Sequence, residues 1–170
     1  KVKNMDESEA HLIANLSNGN YATALQLVSG DLSKKRDLML EFLVAVVSPQ
    51  SNAIAVTVER LAGEFKKDKR FFVEMLTLMM AWFQDLFYLK HLADHSDILD
   101  ANLINQDKKE RLEKFIRNFP LADVNSALLE TEKAVDLISR NVYLNLVLIT
   151  LGLNLPTFLF SKTSFDPNER

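Results

Sequence analysis

Cysteine is absent from the 170 residues of the chain. Without thiols there is no disulfide framework, no thiolate nucleophile, no cysteine zinc site and no iron–sulfur cluster. A chain of this length buries roughly 70% of the surface that its unfolded form exposes, so its core needs no cross-link or metal. This composition fits a reducing compartment, and we expect a cytoplasmic protein.

Glycine and proline are also scarce, with 4 of each. Long stretches therefore lack the residues that punctuate strands and hairpins, and their apolar residues recur at helical spacing. The sequence predicts an all-α fold, a bundle of about six helices preceded by a short helical hairpin. We expect the hairpin in residues 1–30, the bundle in residues 31–156 and a C-terminal tail in residues 157–170.

The chain has no large excess of charge of one sign, since its formal net charge is −3 and its acidic and basic residues are interspersed. Nucleic-acid-binding domains usually concentrate Lys and Arg on one face. The two basic runs, Lys34–Arg36 and Lys66–Arg70, lie beside helix ends or among acids. That position is typical of a solvated face, and a weak phosphate-contacting patch is the alternative. Any contact with DNA is expected to be indirect.

Little in the sequence could carry catalysis. The two nearest glycines are Gly19 and Gly30, so there is no glycine-rich phosphate loop, and we expect no catalytic residues, no cofactor and no small-molecule substrate. His91 and His95 lie one helical turn apart with Asp94 between them, in an order similar to an inverted zincin motif whose Glu is replaced by Asp. No further histidine completes a metal site. A solvated helix end is the preferred interpretation, and a zinc hydrolase is the alternative.

The most apolar window, Val142–Phe160, is about as long as a membrane span. It contains Asn145, Asn154 and Pro156, which a membrane helix rarely carries together. We therefore expect a buried core helix that Pro156 ends, and no contact with a membrane.

Apolar residues are most concentrated in the segment from Lys69 to about Ala93, which Asp68 is placed to open. The residues that interrupt the apolar run from Phe71 to Leu89 are Glu74, Thr77, Gln84 and Asp85. A helix that is apolar around its whole circumference is typical of the centre of a bundle. We expect Trp82 to be a structural core residue of this helix.

The polar segment His95–Gln106 predicts a loop that apolar residues, Leu103 and Ile104 among them, pin to the bundle. Asp107 is expected to cap the short helix that follows. Three further residues are expected to be structural because they punctuate helices: Gly19 and Gly30 as C-terminal stops, and Asn141 as the N-terminal cap of Val142–Leu155.

The stretch from Ile13 to Leu27 resembles the end of the lid domain in AAA+ clamp-loader subunits, in which a Leu-Ser-x-Gly turn is followed by a helix that carries Ala-Leu. Further stretches follow the order of the collar domain in the bacterial DNA polymerase III delta-prime family: Arg36 with Leu38–Phe42, Phe72–Leu86 with Trp82 and Asp85, and Asn141–Leu146 with Leu148–Leu151. The last stretch is the most characteristic, because the family places an Asn just before a Leu-rich terminal helix.

One position separates the members of this family. The ATP-binding gamma and tau subunits usually carry an arginine that senses nucleotide three residues after the glycine of the turn. Here Gly19 is followed at that spacing by Ala22, which cannot contact a phosphate. The resemblance is therefore to the delta-prime subunit, which does not hydrolyse ATP. Because Lys1 is not an initiator methionine, we expect a longer parent protein whose AAA+ module precedes this chain.

The resemblance implies an oligomerisation domain. In the family, five such bundles form a closed collar that holds the ring of AAA+ modules while it loads the sliding clamp onto primed DNA. The implied partners are the delta and gamma or tau subunits, with the clamp and DNA contacted only indirectly, and the parent would belong to the DNA polymerase holoenzyme. The alternatives are the collar of a gamma or tau subunit and a free-standing ligand-binding or regulatory helical domain in which Trp82, Phe83 and the methionines line a pocket.

Overall fold

The computed structural model describes residues 7–17, 19–29, 32–65, 68–92 and 102–160, and within these ranges every regular element is a helix. In chain order they are α1 (Glu7–Ser17), α2 (Tyr21–Ser29), α3 (Leu32–Val46), α4 (Ala53–Glu64), α5 (Lys69–His91), a 3-10 turn (Gln106–Lys108), α6 (Lys109–Asn118), α7 (Val124–Ser139) and α8 (Leu144–Leu159). Helices α1 and α2 pack on each other as a hairpin, and α3 to α8 form a six-helix bundle. The prediction of an all-α bundle preceded by a hairpin is confirmed.

Helix α5 is the central helix of the bundle. The Asp68 carboxylate accepts hydrogen bonds from the backbone N–H groups of Arg70 and Phe71, at 3.0 and 3.4 Å, and so caps its first turn. The helix packs against α3, α6 and α7. Its buried side chains are Phe71, Phe72, Met75, Leu76, Leu78, Met79, Ala81, Trp82, Phe83, Asp85, Leu86 and Leu89. Because neighbours cover most of its circumference, the apolar composition of α5 is explained by the core.

The same helix is the one in the described part of the chain that is long and apolar enough to cross a membrane. However, 61% of its apolar window is buried inside the protein, as in the core helix of a bundle. Helix α8 has 16 residues, fewer than the ~20 that a membrane span needs. Seven of its residues are buried, including Leu148, Leu151 and Leu155.

Gly152 allows α8 to lie directly on α4. A Cβ atom at this position would come within 2.5 Å of the Cγ2 atom of Ile54 on α4. Real Cβ atoms do not approach so closely, so any larger residue would force the Ile54 side chain or the two helices to shift.

The prediction that Pro156 ends the terminal helix is wrong. Helix α8 continues through Pro156 to Leu159, which is almost fully buried. Proline at this point removes only one hydrogen bond near the helix end, and its carbonyl still accepts one from the Phe160 N–H at 2.9 Å. The Phe158 carbonyl in turn accepts a hydrogen bond from the Asp123 N–H. Residues 157–159 therefore belong to the bundle and not to the tail, whose residues 161–170 lie outside the described ranges.

The prediction that Asn141 caps the start of the terminal helix is also wrong. The N-terminal cap position of α8 is occupied by Tyr143, which makes no side-chain capping bond. Asn141 instead follows the end of α7 with a left-handed backbone, φ 65°. Its N–H donates to the Ile138 carbonyl at 3.1 Å, and the Val142 N–H donates to the Leu137 carbonyl at 3.0 Å. This pair of bonds is a Schellman motif, so Asn141 terminates α7.

The other predicted punctuation residues have different outcomes. Gly19 has φ 78°, which confirms a left-handed stop after α1. Gly30 lies outside the described residues. Asp107 does not cap α6: the intervening 3-10 turn moves the helix start to Lys109, and the Asp107 carboxylate binds Arg36 instead.

Candidate interaction surfaces

Among the described residues, no three His, Asp or Glu side chains lie close enough together to hold a metal ion. The His91 ring stacks on Phe87 with 4.2 Å between ring centroids. Asp94 and His95, the rest of the zincin-like sequence, lie outside the described residues. The half-exposed His11 ring is 3.2 Å from the Asn15 amide nitrogen and 3.4 Å from that of Gln106, so this polar contact joins α1 to the bundle.

The first basic run is neutralised by acidic side chains. Lys35 bonds Glu74 at 2.5 Å, and Lys34 lies 3.5 Å from Glu64. Arg36 binds both carboxylate oxygens of Asp107, at 2.9 and 2.7 Å. The Lys35 and Arg70 side chains hold the pKa of Glu74 below its usual value, although burial alone would raise it. These pairings favour a solvated, charge-paired face over a phosphate-contacting patch.

Asp85 is the one fully buried acidic side chain in the described part of the chain. One carboxylate oxygen accepts a hydrogen bond from the Ile104 N–H at 2.8 Å, and the other accepts two from Asn105, from its N–H and its side-chain amide, each at 2.7 Å. Burial raises the pKa of Asp85, and the three hydrogen bonds counteract that rise. No nucleophile or base of the described residues contacts the carboxylate, so its role is to fasten residues 104–105 to α5. The isolated acid in an apolar helix was the sequence signal for this contact.

Trp82 lies in the core with 2% of its surface exposed, as expected. Its indole Nε1 is buried and has no hydrogen-bond partner among the residues that the structure describes. The ring lines a pocket of about 240 Å³ between α3 and α6, which we call the α3–α6 pocket. In the alternative of a ligand-binding domain, Phe83 and the methionines would line a pocket together with Trp82. Phe83, Met75 and Met79 do not line this pocket and are fully buried elsewhere on α5.

The walls of the α3–α6 pocket are apolar and its rim is basic. Leu40, Leu43 and Val44 of α3 face Phe115 of α6, and other lining residues are Arg111, Lys114 and Asn118. The Arg111 and Lys114 side chains have no hydrogen bond or ion pair with another residue of the described part of the chain. The pocket therefore joins an apolar interior to two unpaired cations.

A second surface lies on α7 and α8, where apolar side chains are left exposed. Leu146 and Leu153 of α8 are 58% and 60% exposed, and Leu137 of α7 is 40% exposed. Leu137 and Leu146 line one shallow groove with Val142 and Thr150, which we call the α7–α8 groove. Leu153 lies two helical turns beyond Leu146 on the same side of α8. Exposed apolar side chains grouped on neighbouring helices in this way are typical of protein interaction sites.

Polar contacts beside the α7–α8 groove fix its two helices. The Asn154 amide of α8 donates to the Glu130 carboxylate of α7 at 2.7 Å, and Lys133 bonds the same carboxylate at 3.1 Å. The hydrogen bond from Asn154 is the main cause that lowers the pKa of Glu130. At the other end of the groove, Lys69 Nζ donates to the Asn141 side-chain oxygen at 2.6 Å.

The structure does not gather the predicted residues into one site. Trp82 lies at the α3–α6 pocket, Asn141 at the turn between α7 and α8, and Gly19 in the hairpin. A scan against protein-family models matches no family, and no curated protein or solved structure is significantly similar to the chain.

Proposed function

We propose that the chain is an oligomerisation domain: the lid remnant and collar of a bacterial DNA polymerase III delta-prime subunit. The observation that carries this proposal is the exposed apolar face of Leu137, Leu146 and Leu153 on the last two helices. The stretch with the most characteristic resemblance to the delta-prime family, Asn141–Leu151, contributes Leu146 to this face and lies between Leu137 and Leu153 in the sequence. The family resemblance and the unpartnered surface therefore concern the same part of the molecule.

The size of the exposed face suits a subunit contact. Fully burying one leucine side chain is worth about 1.5–3 kcal/mol relative to leaving it exposed. Because the three leucines are 40–60% exposed, covering them would contribute roughly 2–5 kcal/mol to association. A protein interface usually derives most of its affinity from a few such anchors.

In the proposed role the chain works by packing and not by chemistry. It would hold delta and gamma or tau subunits in a collar in the cytoplasm, and would contact the sliding clamp and primed DNA only through them. The alanine at position 22, where gamma and tau subunits usually carry a nucleotide-sensing arginine, supports a subunit that does not hydrolyse ATP.

The proposal is tested by reconstituting the chain with delta and gamma subunits and separating the mixture by size-exclusion chromatography. The double variant Leu146→Glu with Leu153→Glu should fail to co-elute with the partners. The matched control is Leu25→Glu, since Leu25 is 51% exposed but lies in the hairpin. It should co-elute normally.

Both variants change exposed side chains, so their melting temperatures should stay close to that of the unaltered chain. Normal co-elution of the double variant would remove the α7–α8 face as the subunit contact. Failure of the unaltered chain to bind any clamp-loader subunit would refute the collar proposal itself.

A further inference from the structure

The α3–α6 pocket has features of a binding site that packing through α7 and α8 does not use. Its walls are apolar, Trp82 lies in one of them, and Arg111 and Lys114 stand at the rim. We propose that this pocket binds a short segment of a partner protein in which an apolar side chain is flanked by carboxylates.

The volume of the pocket favours a peptide side chain over a small-molecule ligand. It measures about 240 Å³, whereas small-molecule sites usually occupy about 300–1,000 Å³. An anchor of one or two apolar side chains fits a pocket of this size, and such anchors are typical of the centres of protein interfaces.

The positive charge of the rim indicates that the partner segment carries negative charge. Arg111 and Lys114 are three residues apart on α6, so they lie on one side of the helix. The acidic neighbour Glu113 is paired with Arg117, at 3.8 Å, and leaves the two rim cations without a carboxylate in the described part of the chain. Two unpaired cations beside an apolar cavity attract acidic groups and repel basic ones, which orients a bound segment.

The inference is independent of the proposed collar function, because the pocket lies on α3, α5 and α6. Subunit assembly through the α7–α8 face and peptide binding in the α3–α6 pocket can therefore succeed or fail separately.

The test uses the full chain and the emission of Trp82, which is its single tryptophan. The probe is the blocked hexapeptide Asp-Asp-Phe-Leu-Asp-Asp. One control peptide replaces each Asp by Lys, and a second replaces Phe and Leu by Ala.

The first protein variant is Arg111→Glu with Lys114→Glu, and its matched control is Arg117→Glu on the same helix. A second variant, Val44→Glu at the pocket mouth, is matched by Val56→Glu, since both valines are about 55% exposed.

We expect the acidic peptide to change Trp82 emission saturably and neither control peptide to do so. Affinity should fall by about tenfold or more in the Arg111→Glu, Lys114→Glu variant and in Val44→Glu, and stay unchanged in the two matched controls. The inference would be overturned if the lysine peptide bound as tightly as the acidic peptide. It would also be overturned if the pocket variants bound the acidic peptide as tightly as the unaltered chain does.

Two other occupants would also overturn it. Saturable binding of decanoate without binding of the peptide would identify a small anionic amphiphile. Dimerisation of the chain that Val44→Glu abolishes and Val56→Glu preserves, measured by sedimentation velocity, would identify a second copy. Unchanged Trp82 emission with every probe would show that the pocket is part of the core only.

Discussion

Removing the Asp85 carboxylate should destabilise the protein strongly, because it satisfies three donors where water has little access. The donors are the Ile104 N–H, the Asn105 N–H and the Asn105 side-chain amide. A buried donor left without an acceptor costs about 1–3 kcal/mol, and movement of the loop toward water recovers part of that cost. We expect Asp85→Ala to lower the free energy of unfolding by about 3–5 kcal/mol.

Asp85→Asn separates the hydrogen bonds from the volume of the side chain. The asparagine amide has one oxygen, which can accept hydrogen bonds at one of the two positions that the carboxylate oxygens occupy. At the other position its NH2 group faces a hydrogen-bond donor instead of accepting from it. We expect a loss of about 2–4 kcal/mol although the shape is conserved. Asn105→Ala removes one of the three donors and should cost about 1–2 kcal/mol. Urea unfolding followed by circular dichroism measures all three, and the Asp85→Ala, Asn105→Ala pair should be non-additive.

The pH dependence gives a further check. Burial raises the folded-state pKa of Asp85 above its usual 3.8, so the folded protein holds this proton more tightly than the unfolded chain. This tighter proton binding contributes to the free energy of unfolding. The contribution is fully present below pH 3.8 and is lost as the pH rises through the raised pKa of Asp85. The stability advantage of the unaltered chain over Asp85→Asn should therefore shrink across that interval. A loss below about 0.5 kcal/mol in Asp85→Ala would refute the view that this carboxylate fastens the loop.

Other predictions concern single residues and activity. Trp82→Ala should lower the free energy of unfolding by about 3–5 kcal/mol in urea titrations; a change under about 1 kcal/mol would contradict its burial. Asn141→Gly should stay within about 0.5 kcal/mol of the unaltered chain and Asn141→Val should lose about 1–2 kcal/mol, because only the former tolerates positive φ; an equal effect of both in thermal melts would contradict the Schellman stop. The chain should not hydrolyse ATP, and phosphate release above a buffer control would contradict that expectation.

Helix positions could be predicted from the sequence because periodicity and capping are local properties. The Asp68 cap and the apolar circumference of α5 both indicated the central helix, and the structure has them. The start and end of α8 were harder to predict, because proline and asparagine residues such as Pro156 and Asn141 can each play more than one role at a helix end. Proline can be tolerated in a last turn, and asparagine serves as an N-terminal cap or as a left-handed C-terminal residue. Which role is realised depends on the length of the neighbouring helices.

The candidate surfaces could not be predicted from the sequence, because they depend on which helices become neighbours. Trp82 was predicted as a core residue, but nothing in its local sequence placed Arg111 and Lys114 beside it, 29 and 32 positions away. Likewise, the leucines of the terminal helix were expected to be buried. The bundle covers one side of α8 with α4 and α7 and leaves Leu146 and Leu153 exposed.

Two polar contacts hold the walls of the α3–α6 pocket at a fixed separation. Asp85 fastens Asn105 to α5, and four residues later α6 begins. Arg36 of α3 donates hydrogen bonds to both carboxylate oxygens of Asp107, which lies two residues before the start of α6, and so ties this segment to α3. Both side chains are mostly shielded from solvent. The pocket wall that carries the rim cations is therefore anchored to both opposing helices before any partner arrives. A preformed site of this kind loses less conformational entropy on binding. Arg36→Ala should therefore lower the affinity for the acidic peptide even though Arg36 does not line the pocket. Unchanged peptide affinity in Arg36→Ala would mean that α6 keeps its position without this bond.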